Sequence, residues 1–115
     1  MSKMEIIHRL IEDIPVIIIS GKIDAVSSKD LENALVGLID KDKRFLIVDM
    51  EKVEYLSSSG LRVLMASLNK LKKMDGDLLL TALQPFVKDV FSLTGASRFF
   101  SIFISQEEAI TNLKK

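Results

Sequence analysis

The stretch from Ile14 to Ser20 reads Ile-Pro-Val-Ile-Ile-Ile-Ser, apolar at successive positions instead of alternate ones. A strand with one wet face alternates; one that does not alternate has to be covered on both faces. Two further short apolar segments also read as strands: Phe45 to Val48, a buried one, and Leu78 to Leu83. Between them the period changes. Leu31, Ala34, Leu35, Leu38 and Ile39 recur at helical spacing behind Ser27-Ser28-Lys29-Asp30, a plausible N-cap with an acidic residue in the first turn. Leu61, Leu64, Met65, Leu68 and Leu71 then mark one face of a second helix, the best periodic segment in the chain, and Ser57-Ser58-Ser59-Gly60 precedes it.

The remaining elements follow from composition and punctuation. Met4 to Ile11 suits a strand joined to the Ile14 segment by a tight turn at Glu12-Asp13. Gly21 is expected to end the second strand and Asp49 the third, with a loop running on through Glu51, Lys52 and Glu54. Gly76 is a natural helix stop in the left-handed conformation. Pro85 fits a first helical turn, and Phe86, Val87, Val90, Phe91 and Leu93 give a short helix closed by Gly95. Phe99 to Ile104 reads as the last strand. Ser105 to Glu108 is a capping-box match opening a terminal helix with Ala109, Ile110 and Leu113 on its apolar side. The order is β-β-α-β-α-β-α-β-α: a compact α/β domain with four helices and a mixed, mostly parallel sheet of about five strands. At 115 residues without a linker or repeat, residues 1–115 form a single domain.

Composition narrows the function. With 16 basic and 16 acidic side chains the chain lacks the clustered positive charge that binds nucleic acid. No unbroken apolar run exceeds four residues, as in Val16 to Ile19, and the Met1 to Glu5 start resembles no signal peptide, so a cytoplasmic domain without membrane contact is expected. Zero Cys excludes a thiolate metal site and a cysteine nucleophile, and His8 is the one imidazole. Neither a hydrolase elbow nor a phosphate-cradling glycine loop is present, so the chain reads as a non-enzyme with no cofactor and no metal. The enzymatic alternative is a small nucleotide- or Mg²⁺-dependent protein using Asp24 and Asp49 at strand ends. Those carboxylates also suit turns, where they accept backbone N–H groups.

Ser57 to Gly60 stands where unpaired N–H groups and the positive end of a helix dipole converge. One hydroxyl there caps the helix. An exposed one is also a phosphorylation acceptor, and the helix end tolerates the added charge of roughly −1.5 to −2, so the effect falls on binding and not on folding.

Gly21-Lys22-Ile23-Asp24, the helix from Ser27, Leu46 to Met50, Val53, Ser58-Ser59-Gly60-Leu61, Leu78 to Leu83, Phe91-Ser92-Leu93-Thr94-Gly95 and Phe103 to Ile110 together resemble the STAS domain, of the stand-alone anti-sigma factor antagonist type. That resemblance covers essentially the whole chain and implies a mechanism. The unphosphorylated antagonist binds an anti-sigma factor that is also a serine kinase and so releases the sigma factor. The kinase phosphorylates a Ser at the start of the second long helix, which dissolves the complex, and a PP2C-type phosphatase restores the antagonist. By position the acceptor is Ser58, with Ser57 and Ser59 as alternatives. Asp24 matches an acidic residue lining the same surface, and the partner contact is expected to involve Asp24, Ser27, Ser57, Ser59, Gly60 and Arg62. Met65 on the same helix is a further contact position in that reading, with a place in the core as the favoured alternative. The family commonly has Asp where this chain has Ser57, which supplies a cap but no charge. A constitutive scaffold without phosphoregulation is therefore the alternative within the same fold.

Overall fold

The structure, a computed structural model, describes residues 3–115. Strand β1 (Glu5–Ile11) and strand β2 (Ile14–Ile23) form a hairpin in the register Ile11 opposite Ile14. Its two linking residues, Glu12 and Asp13, both have positive φ (52° and 69°), the turn geometry that matches the twist of two antiparallel strands. Helix α1 (Ser27–Asp40), strand β3 (Phe45–Leu56), helix α2 (Ser58–Lys73), strand β4 (Asp77–Thr81), helix α3 (Pro85–Thr94), a one-turn 3₁₀ helix (Ala96–Arg98), strand β5 (Ser101–Phe103) and helix α4 (Gln106–Leu113) follow. The sheet order is β1-β2-β3-β4-β5, the order of the chain, with β1 antiparallel and the other pairings parallel.

When parallel strands are added in chain order through right-handed crossovers, every crossover helix falls on the same side of the sheet. The packing agrees. Leu31 and Leu35 of α1, Leu64, Leu68 and Leu71 of α2, and Val87 and Phe91 of α3 share one buried cluster with Ile17, Ile19, Leu46, Val48, Leu78 and Leu80. Phe91 meets Phe100 edge to face, ring centres 5.4 Å apart. Among the described residues the opposite face is closed by α4 alone, whose Ala109 and Ile110 bury Val16, Ile47 and Leu79. Hence the strands that run apolar at successive positions: β2, β3 and β4 are sandwiched between two helical layers.

Several boundaries differ from the sequence expectation. Strand β2 does not stop at Gly21 but passes through it at φ 90° and continues to Ile23, with irregular pairing to β3 between Ile18 and Lys22. A side chain at Gly21 would run into the Lys3 backbone. Strand β3 likewise runs on through Asp49, Glu51, Lys52 and Glu54 to Leu56. Asp75, with φ 62°, and not Gly76, takes the left-handed position after α2. Gly76 is required for a different reason, the close passage of the Arg44 backbone. The last strand is three residues long, and Phe99 lies outside it, exposed.

Candidate functional site

The parallel register brings the two singled-out segments together. Ile23 pairs with Leu56, so the loops that leave β2 and β3 emerge side by side at the carboxyl ends of adjacent strands. The Ser57 N–H donates to the Ile23 carbonyl at 2.8 Å and ties one loop to the other.

In the first loop the organising group is the Asp24 carboxylate. Its Oδ1 accepts the N–H groups of Val26 (3.0 Å) and Ser27 (2.8 Å). Ser27 Oγ accepts the Asp24 N–H at 2.9 Å and stands 2.9 Å from the Lys22 carbonyl and 3.0 Å from Asp24 Oδ1. The expected Ser27 cap is therefore not what starts α1. Ser27 is already helical, Val26 occupies the cap position without a side-chain bond, and the carboxylate three residues upstream serves the free N–H groups. Donation by the Ser27 N–H, reinforced by its hydroxyl, holds the Asp24 carboxyl below the usual carboxylate range. Ser28 is buried, its Oγ donating to the Ala25 carbonyl at 3.0 Å. The loop is thus fixed from within, and it presents Val26, 83% exposed, beside the carboxylate.

In the second loop Ser57 is the N-cap, as its position suggests: its Oγ accepts the Gly60 N–H at 3.1 Å. The three hydroxyls are then sorted by surroundings. Ser57 and Ser59 are half-buried, and Ser58, the first helical residue, is exposed. Gly60 is buried, and the position a Cβ would take lies 2.6 Å from Ile23 Cγ2 and 2.8 Å from Leu56 Cδ1, so the first turn of α2 rests directly on the end of β2. Arg62 is exposed one turn along. Met65 is half-buried and packs on the core, as expected of it.

Asp49 does not join this site. It sits inside β3 opposite Ile18, whereas Asp24 lies six residues beyond Ile18, about 20 Å along the strand at 3.3 Å per residue. The Asp49 carboxylate is engaged at both oxygens, accepting the Glu51 N–H at 2.9 Å and Gln106 Nε2 at 2.6 Å, which fastens α4 to β3. The two acids proposed for a shared Mg²⁺ are thus far apart. His8 lies exposed on β1, away from both loops. Val26 lies within the loop expected to meet a partner but was not singled out there: a lone valine between Ala25 and Ser27 has no period to betray that it stands in solvent.

The description of a STAS domain matches residues 5–109. BtrV of Bordetella bronchiseptica, named for an anti-sigma factor antagonist role, is 31% identical over 96 residues, which span 84% of this chain and 83% of BtrV. The crystal structure of an anti-sigma factor antagonist from Mycobacterium paratuberculosis superposes with a TM-score of 0.91 at 26% identity, covering 98% of this chain and 96% of that one. The Bacillus cell fate determinant SpoIIAA in its phosphorylated form shares the fold, with a TM-score of 0.74 at 19% identity over 96% of this chain and 99% of the other. The family model covers most of the chain, and the chain is a member of the STAS domain family.

Proposed function

We propose that this protein is an anti-sigma factor antagonist controlled by phosphorylation at Ser58. The unphosphorylated form binds an anti-sigma factor with serine kinase activity in the cytoplasm, and so frees the sigma factor. A PP2C-type phosphatase reverses the modification. The observation that carries this reading is the sorting of the three hydroxyls. Ser57 Oγ is committed to the helix cap and Ser59 is half-buried, which leaves Ser58 as the exposed acceptor on the first turn of α2.

The contact surface in this reading has two kinds of residue. Asp24, Val26, Ser58 and Arg62 face solvent and meet the partner. Ser27, Ser57 and Gly60 keep the two loops in register, through the Asp24 bonds, the cap and the close seat of α2 on Ile23, and half-buried Ser59 lies between the last two in the chain. A phosphate on Ser58 adds a dianion at the positive end of α2, a position the helix itself tolerates. Its cost falls on the complex, where it sets a charge of the same sign beside Asp24 inside a surface that has to be desolvated. Affinity drops while the fold stands.

Incubation with the cognate kinase and ATP is expected to add one phosphate, mapped by mass spectrometry to Ser58. Equal modification of Ser58→Ala would move the site to Ser57 or Ser59. Ser58→Asp is expected to weaken partner binding with little change in melting temperature. Equal binding by both forms would leave the constitutive scaffold as the function.

A further inference from the structure

We propose that this protein forms a two-fold dimer by antiparallel pairing of β1 with β1 of a second copy, centred on Ile7. Strand β1 is the outer strand of the sheet, and among the described residues it pairs with β2 alone. Which of its backbone groups point outward follows from Pro15. Proline has no N–H, so the Leu10 and Pro15 pair is a non-hydrogen-bonded one, as the two-residue turn also requires. By alternation the pairs Ile6 with Ile19 and His8 with Ile17 are non-hydrogen-bonded too. Ile6, His8 and Leu10 therefore turn their N–H and C=O groups away from the sheet, a free ladder three residues long.

Natural edge strands defend themselves with charge, because an unlike or out-of-register strand then meets repulsion. Here the charges are self-complementary in one register. With Ile7 opposite Ile7 of the second copy, Ile6 falls opposite His8, so that their outward groups exchange hydrogen bonds. Glu5 falls opposite Arg9, and by symmetry Arg9 opposite Glu5. Glu5, Ile7 and Arg9 all lie on the face of the sheet that carries α4, since their partners on β2 include Val16 and Ile18 of that layer. Two ion pairs would flank an Ile7–Ile7 contact on one surface. Ile7 is 54% exposed on that face, so pairing covers apolar surface that α4, eight residues long, leaves open. A register centred on His8 loses both ion pairs and sets His8 against His8. None of these residues belongs to the switch loops, so the inference stands apart from the proposed function.

The test is sedimentation equilibrium of the full chain at low salt, with charge-reversed variants. Glu5→Arg places arginine against Arg9, and Arg9→Glu places glutamate against Glu5. Each alone is expected to weaken self-association about thirtyfold, from two attractive cross-strand pairs becoming two repulsive ones. Mixed in equal amounts the two variants regain complementary pairs and form a heterodimer, which also shows that both are folded. Added salt weakens the wild-type dimer. The chain has no cysteine, so Ile7→Cys offers a single thiol, and in the proposed register two such thiols face each other at disulfide distance. It should crosslink on oxidation faster than His8→Cys. A wild-type chain that stays monomeric at every concentration overturns the proposal. So does a dimer indifferent to both charge reversals, or one that crosslinks faster through position 8.

Discussion

Gly37 and Gly60 both lie in helices, and the structure assigns opposite signs to the same Gly→Ala substitution at the two sites. Around Gly37, exposed in α1, nothing lies within 4 Å of an added Cβ. Alanine there gains helix propensity, about 0.5–1 kcal/mol, with no steric cost. At Gly60 the new methyl would lie 2.6 Å from Ile23 Cγ2 and 2.8 Å from Leu56 Cδ1, both inside contact distance. Ile23 is fully buried and Leu56 is 3% exposed, so neither has room to withdraw, and overpacking of this kind costs about 1–3 kcal/mol. With two contacts under 3 Å the upper half of that range applies, and after the propensity gain the net loss is about 1–2 kcal/mol. At roughly 2.1 cal/mol/K per residue, a chain of 115 residues has an unfolding entropy near 0.24 kcal/mol/K, so 1 kcal/mol moves the melting temperature by about 4 °C. Gly37→Ala is therefore expected to raise the midpoint by about 2–4 °C, and Gly60→Ala to lower it by about 4–8 °C. Differential scanning calorimetry of the two variants beside the parent reads both. A Gly60→Ala protein as stable as the parent would refute the claim that α2 is pressed against the end of β2. With it would go the idea that this seat sets Ser58 beside Asp24.

Removing the α2 cap with Ser57→Ala should cost about 1 kcal/mol in urea unfolding, while Ser57→Asp should match or exceed the parent because a carboxylate both caps and complements the helix dipole. The Asp24 carboxyl is held below its ordinary value by donors present only in the folded loop, so its stabilising effect is complete above about pH 3.8 and fades as pH falls through the lower folded value. Carboxyl titration by NMR should show that depression in the parent and a smaller one in Ser27→Ala, which removes the hydroxyl but keeps the backbone N–H donors; an ordinary value in the parent would refute the locked loop. Gln106→Ala strips one partner from the buried Asp49 carboxylate and should destabilise the chain by about 1–3 kcal/mol, whereas the same change in an Asp49→Asn background should cost less.

Element order and type were legible because they rest on local periods: the i, i+3, i+4 pattern of α2 and the apolar runs of β2 and β3. Boundaries failed where a long-range pairing set them. The second half of β3 buries Met50, Val53 and Leu56 and exposes the residues between, a spacing of three that belongs to neither strand nor helix. Its cause is the irregular β2–β3 register around Gly21, which no local reading of β3 contains. Ser57 was found because capping is a local event. That the Asp24 loop lies against it depends on Ile23 pairing with Leu56, thirty-three positions away, and the assignment of that loop to the same surface came from family resemblance alone. Asp24 taking over the cap from Ser27 was hidden for a related reason: both residue types serve, and only the chain's path out of β2 decides between them.

The sheet whose strand order repeats the chain order has a kinetic meaning as well. Each strand docks on the one made just before it, so no pairing waits for a distant segment. The largest separations are of the kind that joins Val16 to Ile47 and Ile47 to Leu79, one helical crossover each. Loop closure is then a succession of similar steps of about thirty residues, which lets the sheet assemble in order from the amino end as the chain is synthesised. Residues 57–60 reach their place on β2 as soon as β3 has docked, before β4, β5 or α4 exist to support them.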